Sequence, residues 1–216
     1  MTIDKSYAVF GLGRYGRAVA KELIDSGAEV IAVDSDEKLV EDLASEIPIC
    51  KCADITDEEV IRQLGISNVD VVIIAIAEAF EASVMATMLC KEAGVGHVIV
   101  KCSSEMHRAI LEKVGADVVV CPEKESGIRL AKNLLSSGFL DIADISDDIS
   151  IIELNVKPEW AGKSLREIEL RRKYSVNVIA LTKNKNVEIA IQPDTVIEND
   201  MKMIVIANKK ELGKLK

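Results

Sequence analysis

Three glycines give this chain its clearest chemical feature. Gly11, Gly13 and Gly16 directly follow the apolar run 7–10, so the sequence predicts a strand, a tight turn and the first turn of a helix. Gly11 allows the tight turn, Gly13 lets the backbone approach a phosphate, and Gly16 lets the helix pack close to the strand. The N–H groups at the helix start then face an anion. The spacing predicts a nucleotide phosphate site.

The same turn carries a cation and an aromatic ring. Arg14 stands between the second and third glycines, and Tyr15 follows it. A guanidinium placed there can reach beyond a diphosphate towards a terminal phosphate with two parallel hydrogen bonds. Both residues are included in the predicted site. The alternative for Arg14 is a solvated arginine at the start of a helix.

Further site residues are predicted at the carboxyl ends of strands, where open parallel sheets bind ligands. Asp34 ends the second strand about 20 residues beyond the glycines, where a carboxylate binds ribose hydroxyls and disfavours a 2′-phosphate. Its alternative role is to cap the next helix. Ala75, Ile76 and Ala77 end the central strand, and their small size keeps a cleft open or fills a core. Lys101 is the last residue of the fifth strand. It is interpreted as a phosphate contact or, alternatively, as a surface lysine.

The elements that must position these residues alternate regularly over the first two-thirds of the chain. Short β-branched runs predict strands at 6–10, 29–33, 48–52, 70–76, 97–101 and 117–120. Amphipathic segments between them predict helices at 14–26, 37–46, 57–64, 80–94, 104–114 and 123–137. This order predicts an α/β fold with a doubly wound parallel Rossmann-type sheet.

A different pattern begins after residue 137 and predicts a small C-terminal α+β domain. We predict a nucleotide-binding domain over 1–137, a polar connector over 138–148 and the small domain over 149–216. Within the small domain, strands are expected at 150–156, 176–182, 187–192 and 201–207, with a helix near 164–171.

Composition excludes several classes of protein. The net charge of −9 argues against binding nucleic acid, and no stretch reaches the roughly 20 apolar residues of a membrane span. The N-terminus lacks a signal-peptide core. The five cysteines lie mostly in apolar strand or helix contexts, so a disulfide framework is not expected. The sequence predicts a soluble cytosolic protein.

The residues of a catalyst are not evident beside this cofactor site. A nicotinamide-dependent dehydrogenase needs a proton relay, often a Tyr/Lys pair or a His held by a carboxylate. The chain contains no Tyr-x-x-x-Lys helix, no Ser/His/Asp set and no zinc-ligand spacing. These observations predict a regulator that is gated by its ligand and is not an enzyme.

An ordered set of motifs resembles one family over essentially the whole length. The carriers are the Gly11–Gly16 turn, Val33-Asp34, the segments 53–57 and 111–117, the segment 121–127 and the C-terminal module. Together they resemble the RCK regulatory subunits of Ktr/Trk-type potassium transporters, in the single-repeat form. The resemblance implies a cytoplasmic protein at the inner face of the membrane. It also implies homodimers, paired by a crossover helix, that form a homo-octameric ring on a membrane potassium-translocating subunit.

The resemblance also assigns ligands to this sequence. It implies ATP and ADP in the N-terminal lobe, with Arg14 on the γ-phosphate and Asp54 and Ile55 beside the adenine. It implies Mg²⁺ or Ca²⁺ at the dimer interface, held by Glu123, although Pro122-Glu123 is also an ordinary helix opening. In the C-terminal lobe, related proteins bind cyclic di-AMP in the region that corresponds to Val178, Ile179 and Pro193.

Three functions are therefore compared. The first is a gating subunit whose ring changes shape between ATP and ADP. The second is an NAD(H)-sensing regulator of potassium transport from the same group. The third is a small NAD-dependent oxidoreductase whose partner supplies the substrate site, against which the missing proton relay argues.

Overall fold

The computed structural model describes residues 5–76, 79–135, 139–146, 148–184, 186–208 and 210–211. The chain divides into two compact units, Met1–Glu125 and Ser126–Lys216. Among the described residues, no helix is long and apolar enough to cross a membrane.

Six strands form a wholly parallel sheet in the first unit, in the order β3-β2-β1-β4-β5-β6. They are β1 (Ser6–Phe10), β2 (Glu29–Asp34), β3 (Cys50–Cys52), β4 (Val71–Ile74), β5 (His97–Lys101) and β6 (Val118–Val120). The order is that of a doubly wound dinucleotide-binding sheet, with its reversal between β1 and β4. The predicted fold class is confirmed.

Helices alternate with these strands. They are α1 (Arg14–Asp25), α2 (Glu37–Leu43), α3 (Glu58–Gln63), α4 (Phe80–Glu92), α5 (Glu105–Val114) and α6 (Pro122–Leu135). Local chemistry sets several of their ends. For α5, the Ser104 hydroxyl accepts the His107 N–H and Gly115 ends the helix at φ 117°.

Both faces of the parallel sheet are covered. Along β1, Ala8 and Phe10 belong to one buried cluster and Val9 belongs to another. Alternate residues of a strand point to opposite faces, so a strand buried on both sides is apolar throughout. This explains why β4 reads as an uninterrupted run, Val71–Ile74, with every residue buried.

The second unit contains a five-stranded sheet in the order β10-β9-β11-β8-β7, in which every pairing is antiparallel. Its strands are β7 (Phe139–Asp144), β8 (Ile149–Asn155), β9 (Asn177–Lys183), β10 (Asn186–Glu188) and β11 (Lys202–Asn208). Two short helices, α7 (Leu165–Ile168) and α8 (Leu170–Tyr174), follow β8.

Three local predictions in the second unit were wrong. The single helix expected over 164–171 is broken at Glu169, whose φ of 55° is left-handed and ends α7. The strand expected over 187–192 is short and ends at Glu188. Strand β7 lies in the segment for which the sequence predicted only a polar connector.

Cys102 and Cys121 form a disulfide that the sequence did not predict, although a single bond is not the disulfide framework that was not expected. Both cysteines follow the last residue of neighbouring parallel strands, β5 and β6. They are 19 residues apart in sequence, and only the register of the two strands brings their Cα atoms within 5.1 Å. Cys50, Cys52 and Cys90 are free thiols.

Candidate functional site

A cleft of about 890 Å³ opens at the carboxyl edge of the parallel sheet. It lies where the strand order reverses, which is the usual ligand position in this architecture. The predicted site residues that line it are Gly11, Gly13, Arg14, Tyr15, Asp34, Asp54, Ile55, Ala75, Ile76, Lys101 and Glu123. Gly16 is buried and does not line the cleft, and Ala77 lies outside the described residues.

The glycine turn is held tightly against the ends of β2 and β4. The Gly11 N–H donates to the Val33 carbonyl at 2.8 Å, and the Ala75 N–H donates to the Phe10 carbonyl at 2.7 Å. Gly11 has a φ of 89°, and a Cβ there would meet Ile76 Cγ1 at 2.8 Å. A Cβ on Gly16 would lie 1.8 Å from the Gly11 carbonyl oxygen. Only glycine fits these two positions.

Gly13 differs, because a Cβ added to it meets nothing within 4 Å. It is the N-cap of α1, and no side chain caps that helix. The first N–H groups of a helix carry partial positive charge and lack partners within the helix. The start of α1 therefore presents hydrogen-bond donors and open space to the cleft, which suits an anionic group.

Two cations stand at this end of the cleft in different environments. Arg14 is exposed, and its guanidinium has no ion-pair partner within the described part of the chain. The side chain of Lys101 is only 10% exposed, and its Nζ donates to Glu123 Oε1 at 2.6 Å. The same ammonium lies 5.7 Å from the centre of the Tyr15 ring. The Lys101 hydrogen bond is the main cause that lowers the pKa of Glu123.

Asp34 joins the glycine turn to the end of β2. Its Oδ2 accepts the Leu12 N–H at 2.6 Å, and its Oδ1 accepts the Asp36 N–H at 3.0 Å. A carboxylate oxygen can accept more than one hydrogen bond, so Asp34 keeps acceptor capacity for ribose hydroxyls. The cap of α2 is Asp36, which accepts from the Lys38 and Leu39 N–H groups. Asp34 thus serves the turn and the cleft.

Asp54 and Ile55 follow β3, the edge strand that lies next to β2 and Asp34. Asp54 Oδ1 accepts from the Thr56 hydroxyl at 2.7 Å and from the Thr56 N–H at 2.9 Å. These bonds lower the pKa of Asp54, the hydroxyl contributing most. Helix α3 is capped by Asp57, so Asp54 is not its cap. Ile55 is buried and presents an apolar edge to the cleft.

Sequence reasoning missed seven lining residues, Ala18, Val33, Ser35, Ala53, Thr56, Ala79 and Ala82. Ser35 follows Asp34 directly and Thr56 follows Ile55, so a reading of the loops after β2 and β3 could have found both. Ala18 is one helical turn beyond Arg14 in α1. Ala79 and Ala82 lie at the start of α4, and their small size is the only signal in the sequence.

The carboxylates that the structure describes do not form a metal site within one chain. Among the described residues, no group of three or more His, Cys, Asp or Glu side chains could hold an ion. Glu123 lies in the cleft with a side chain that is 72% exposed. It can supply only one oxygen-donor group, so a bound cation needs ligands from elsewhere.

The second unit has a smaller and more basic cleft of about 420 Å³. Val178 and Pro193 line it together with Arg166, Arg171 and Arg172, whereas Ile179 is not among the lining residues. Arg166 forms two hydrogen bonds with Asp194, and Arg172 pairs with Glu169. No ion pair of Arg171 is found among the described residues.

Comparison with protein families places both units in known classes. Residues 7–122 match the TrkA-N domain and residues 149–216 match the TrkA-C domain. Ktr system potassium uptake protein C of Bacillus subtilis (strain 168) is 35% identical over 98% of this chain and 96% of its own. Ktr system potassium uptake protein A of Vibrio alginolyticus is 36% identical over 100% of this chain and 98% of its own.

Solved structures show the same fold. The GsuK channel bound to NAD superposes with a TM-score of 0.70 at 18% identity, over 100% of this chain and 40% of the channel chain. A structure of GsuK bound to ADP gives a TM-score of 0.52 at 16% identity, over 60% of this chain and 35% of the other.

Proposed function

Because the chain belongs to the TrkA-N/TrkA-C family that includes the Ktr potassium uptake proteins, we propose that it is a nucleotide-binding subunit that gates a membrane potassium transporter. One observation carries the proposal. The cleft at the sheet reversal combines the glycine turn, the uncapped start of α1 and the Arg14 guanidinium, which suit a polyphosphate. The Ktr relatives, matched over nearly their whole length, supply the connection to potassium.

The nucleotide is proposed to lie across the reversal of the sheet. The N–H groups after Gly13 bind the phosphates, and Asp34 accepts hydrogen bonds from the ribose. Asp54 and Ile55 border the adenine, the one as an acceptor and the other as an apolar contact. The support is that all these groups line one continuous cleft.

ATP and ADP are proposed to favour different shapes of the assembly. Arg14 is free to bind a γ-phosphate, which ADP lacks, and Lys101 adds a cation nearby. A ligand shifts a conformational equilibrium only by its different affinity for the two states. Loss of one charge-assisted hydrogen bond costs about 1.5–3 kcal/mol, and a ring repeats that difference at each site.

Mg²⁺ or Ca²⁺ is proposed to bind Glu123 only in a site that is shared with the nucleotide and a second copy of the chain. Both ions prefer oxygen ligands, and Glu123 offers one carboxylate beside the proposed phosphates. The remaining ligands must be phosphate oxygens and a second copy of the chain. A bound cation would compensate phosphate charge between two copies.

The proposed assembly is a homodimer that builds a homo-octameric ring on the cytoplasmic side of a potassium-translocating membrane subunit. Support comes from exposed apolar side chains on helices of the described chain, including Met85 and Met88 on α4 and Leu130 and Leu134 on α6. Contiguous exposed apolar surface marks interaction sites on soluble domains.

The C-terminal cleft is proposed to take a cyclic dinucleotide such as cyclic di-AMP. Arg171 offers a guanidinium for a phosphate, and Val178 and Pro193 offer apolar contact for a base. Arg171→Ala would then abolish a rise in melting temperature caused by cyclic di-AMP. A rise that is equal in the variant contradicts this assignment.

A second candidate is an NAD(H)-sensing regulator of the same kind, because the cleft also has the glycine turn and the ribose acceptor of a dinucleotide site. Competition between ATP and NADH for the purified protein separates the two candidates. We do not propose an oxidoreductase. Lys101 and Tyr15 do lie close together, but the ammonium stands over the face of the ring and is bonded to Glu123.

The function is tested by reconstitution. The chain is added to liposomes that contain a Ktr-type membrane subunit from the same organism, and rubidium uptake is measured with ATP, with ADP and without nucleotide. We expect uptake to differ between ATP and ADP only when the chain is present. Uptake that does not depend on nucleotide would refute gating. The absence of any thermal shift with ATP, ADP or NADH would refute the nucleotide site itself.

A further inference from the structure

The disulfide between Cys102 and Cys121 lies directly behind one wall of the nucleotide cleft. Both side chains are almost completely buried, at 2% and 3% exposure, in the apolar cluster beside the parallel sheet. The Cys102 N–H donates to the Val120 carbonyl at 2.8 Å, which holds the two strand ends side by side. The disulfide therefore ties the end of β5 to the start of α6.

Two cleft residues are adjacent in sequence to this bond. Lys101 immediately precedes Cys102, and Glu123 is the second residue after Cys121. Their side chains make the 2.6 Å ion pair that lines the phosphate end of the cleft. Each partner of that pair is thus held within one or two residues of the sulfur bridge. Movement of α6 away from β5 would separate them.

We propose that Cys102 and Cys121 are a thiol–disulfide exchange site that sets the affinity of the cleft for nucleotide. The inference rests on the proposed nucleotide-binding function. In a reducing compartment, disulfides are usually transient and act as redox sensors. The oxidant is a low-molecular-weight disulfide, RSSR, of the class formed by cellular thiols.

The exchange proceeds in two balanced steps. Because both sulfurs are buried, the exchange takes place while the start of α6 is opened locally away from β5. One cysteine thiolate then attacks RSSR, so that the S–S bond of RSSR breaks, RS⁻ leaves and a mixed disulfide forms. The thiolate of the other cysteine then attacks the protein sulfur of the mixed disulfide and expels the second RS⁻. Two protein thiols have been oxidised, one RSSR has been reduced to two RS⁻, and the two protons pass to solvent or to the released thiolates. An excess of dithiol reverses the reaction.

The oxidised form is the one with the prearranged cleft. With the bridge intact, Lys101 and Glu123 are held in place before a nucleotide arrives, so less conformational entropy is lost on binding. Reduction removes this tether, and the start of α6 is then held by non-covalent contacts alone, among them the ion pairs of Lys124 with Glu105 and of Arg108 with Glu125. Ordering one long side chain changes affinity by roughly two- to tenfold, so we expect oxidised protein to bind ADP tighter by about that factor.

The first part of the experiment counts thiols. The full-length protein is oxidised with glutathione disulfide or reduced with dithiothreitol, denatured and alkylated, and its mass is measured. We expect three cysteines to react in the oxidised form, namely Cys50, Cys52 and Cys90, and all five in the reduced form. Alkylation of all five after oxidation would overturn the proposal.

The second part measures ADP binding by calorimetry for both redox forms of the wild type, so it does not depend on a variant that folds. Cys52→Ser is the control, because this exposed thiol should leave the redox effect unchanged. Cys102→Ala/Cys121→Ala should bind ADP with the lower affinity under both conditions. Equal affinity of the two wild-type forms would overturn the exchange site. If neither form binds ADP, ATP or NADH, the proposed function itself fails.

Discussion

At the scale of single residues, Arg14 and Arg17 provide a matched pair on one helix. Arg14 lines the cleft, whereas Arg17 pairs with Glu46 at 2.7 Å outside it. We expect Arg14→Ala to weaken ATP binding about ten- to a hundredfold, the cost of one charge-assisted hydrogen bond, and to leave ADP almost unaffected. Calorimetry with both nucleotides checks this, with Arg17→Ala as the control. An equal loss for ATP and ADP would contradict the γ-phosphate role.

Unlike Arg14→Ala, a substitution of Asp34 should weaken the binding of every candidate ligand, because each ligand contains ribose. Asp34→Asn keeps the shape of the side chain and removes its charge. We expect ATP, ADP and NADH to lose affinity by a common factor of about ten. Asp36→Asn is the control, since asparagine also caps helices well and Asp36 does not line the cleft. Unchanged affinities in Asp34→Asn would show that the ribose lies elsewhere.

At the scale of elements, the junction of β1 and α1 separates two roles of glycine. Gly16→Ala would place a methyl group 1.8 Å from the Gly11 carbonyl, so α1 must shift and stability should fall by about 1–3 kcal/mol or more. Gly13→Ala meets no atom within 4 Å and should cost at most about 1 kcal/mol. Its methyl group instead occupies the proposed phosphate space.

Denaturant unfolding and ADP binding are measured for both variants, Gly13→Ala and Gly16→Ala. We expect Gly13→Ala to unfold almost like the wild type and to bind ADP poorly, while Gly16→Ala is unstable. If Gly13→Ala binds ADP normally, the phosphates do not approach the start of α1.

Asp117, just before β6, connects three elements. Its Oδ2 accepts the Val98 N–H at 2.6 Å and pairs with the Lys91 ammonium at 3.1 Å. Burial acts to raise the pKa of Asp117, but the hydrogen bond from Val98 and the interactions with Lys91 outweigh it, and the pKa is lowered. A lowered pKa stabilises the folded state above the unfolded pKa, and this stabilisation is lost as the pH falls through the folded pKa.

Asp117→Asn should therefore lower the free energy of unfolding by about 1–2 kcal/mol at neutral pH. The difference from the wild type should persist down to about pH 4, near the unfolded pKa, and narrow below it as the pH falls towards the lowered folded pKa. Melting curves across this range measure it. Glu22→Gln, an exposed change on α1, should show no such dependence. A difference that stays constant with pH would mean that the charge of Asp117 does not stabilise the fold.

An element can be predicted from the sequence when the residues that form it are close together in the chain. The glycine turn and the buried strand β4 are encoded by adjacent residues, so both could be predicted. Strand β7 could not, because an acidic edge strand has little apolar alternation and forms by pairing with β8. The contacts of Lys101 with Glu123 and Tyr15 also depend on how β5, α6 and α1 are brought together, which spacing along the chain does not reveal.

At the scale of the whole molecule, the chain carries its negative charge unevenly. The first 147 residues are strongly acidic, whereas residues 148–216 are slightly basic. The two family matches fall on these two parts. This pattern fits modules with different surfaces and different partners. The charge pattern does not reveal the symmetry of an assembly. That symmetry depends on surfaces that are complementary to themselves, which residue spacing does not show.

Helix α6 provides a test of that assembly. Leu130 and Leu134 are four residues apart, so they share one face of the helix, and they are 60% and 77% exposed. In the proposed homodimer this face is covered by a second copy. Burial of one leucine contributes about 1.5–3 kcal/mol, and a two-fold axis counts it twice.

Leu134→Asp should therefore raise the dissociation constant of the dimer by roughly a hundredfold or more. Light scattering over a range of concentrations should show a smaller species than the wild type. Arg129→Ala changes the net charge of α6 by the same amount and removes no apolar surface, so it should leave the size unchanged. Equal sizes for Leu134→Asp and the wild type would place the interface elsewhere. Equal shrinkage in both variants would mean that charge, and not apolar contact, holds the copies together.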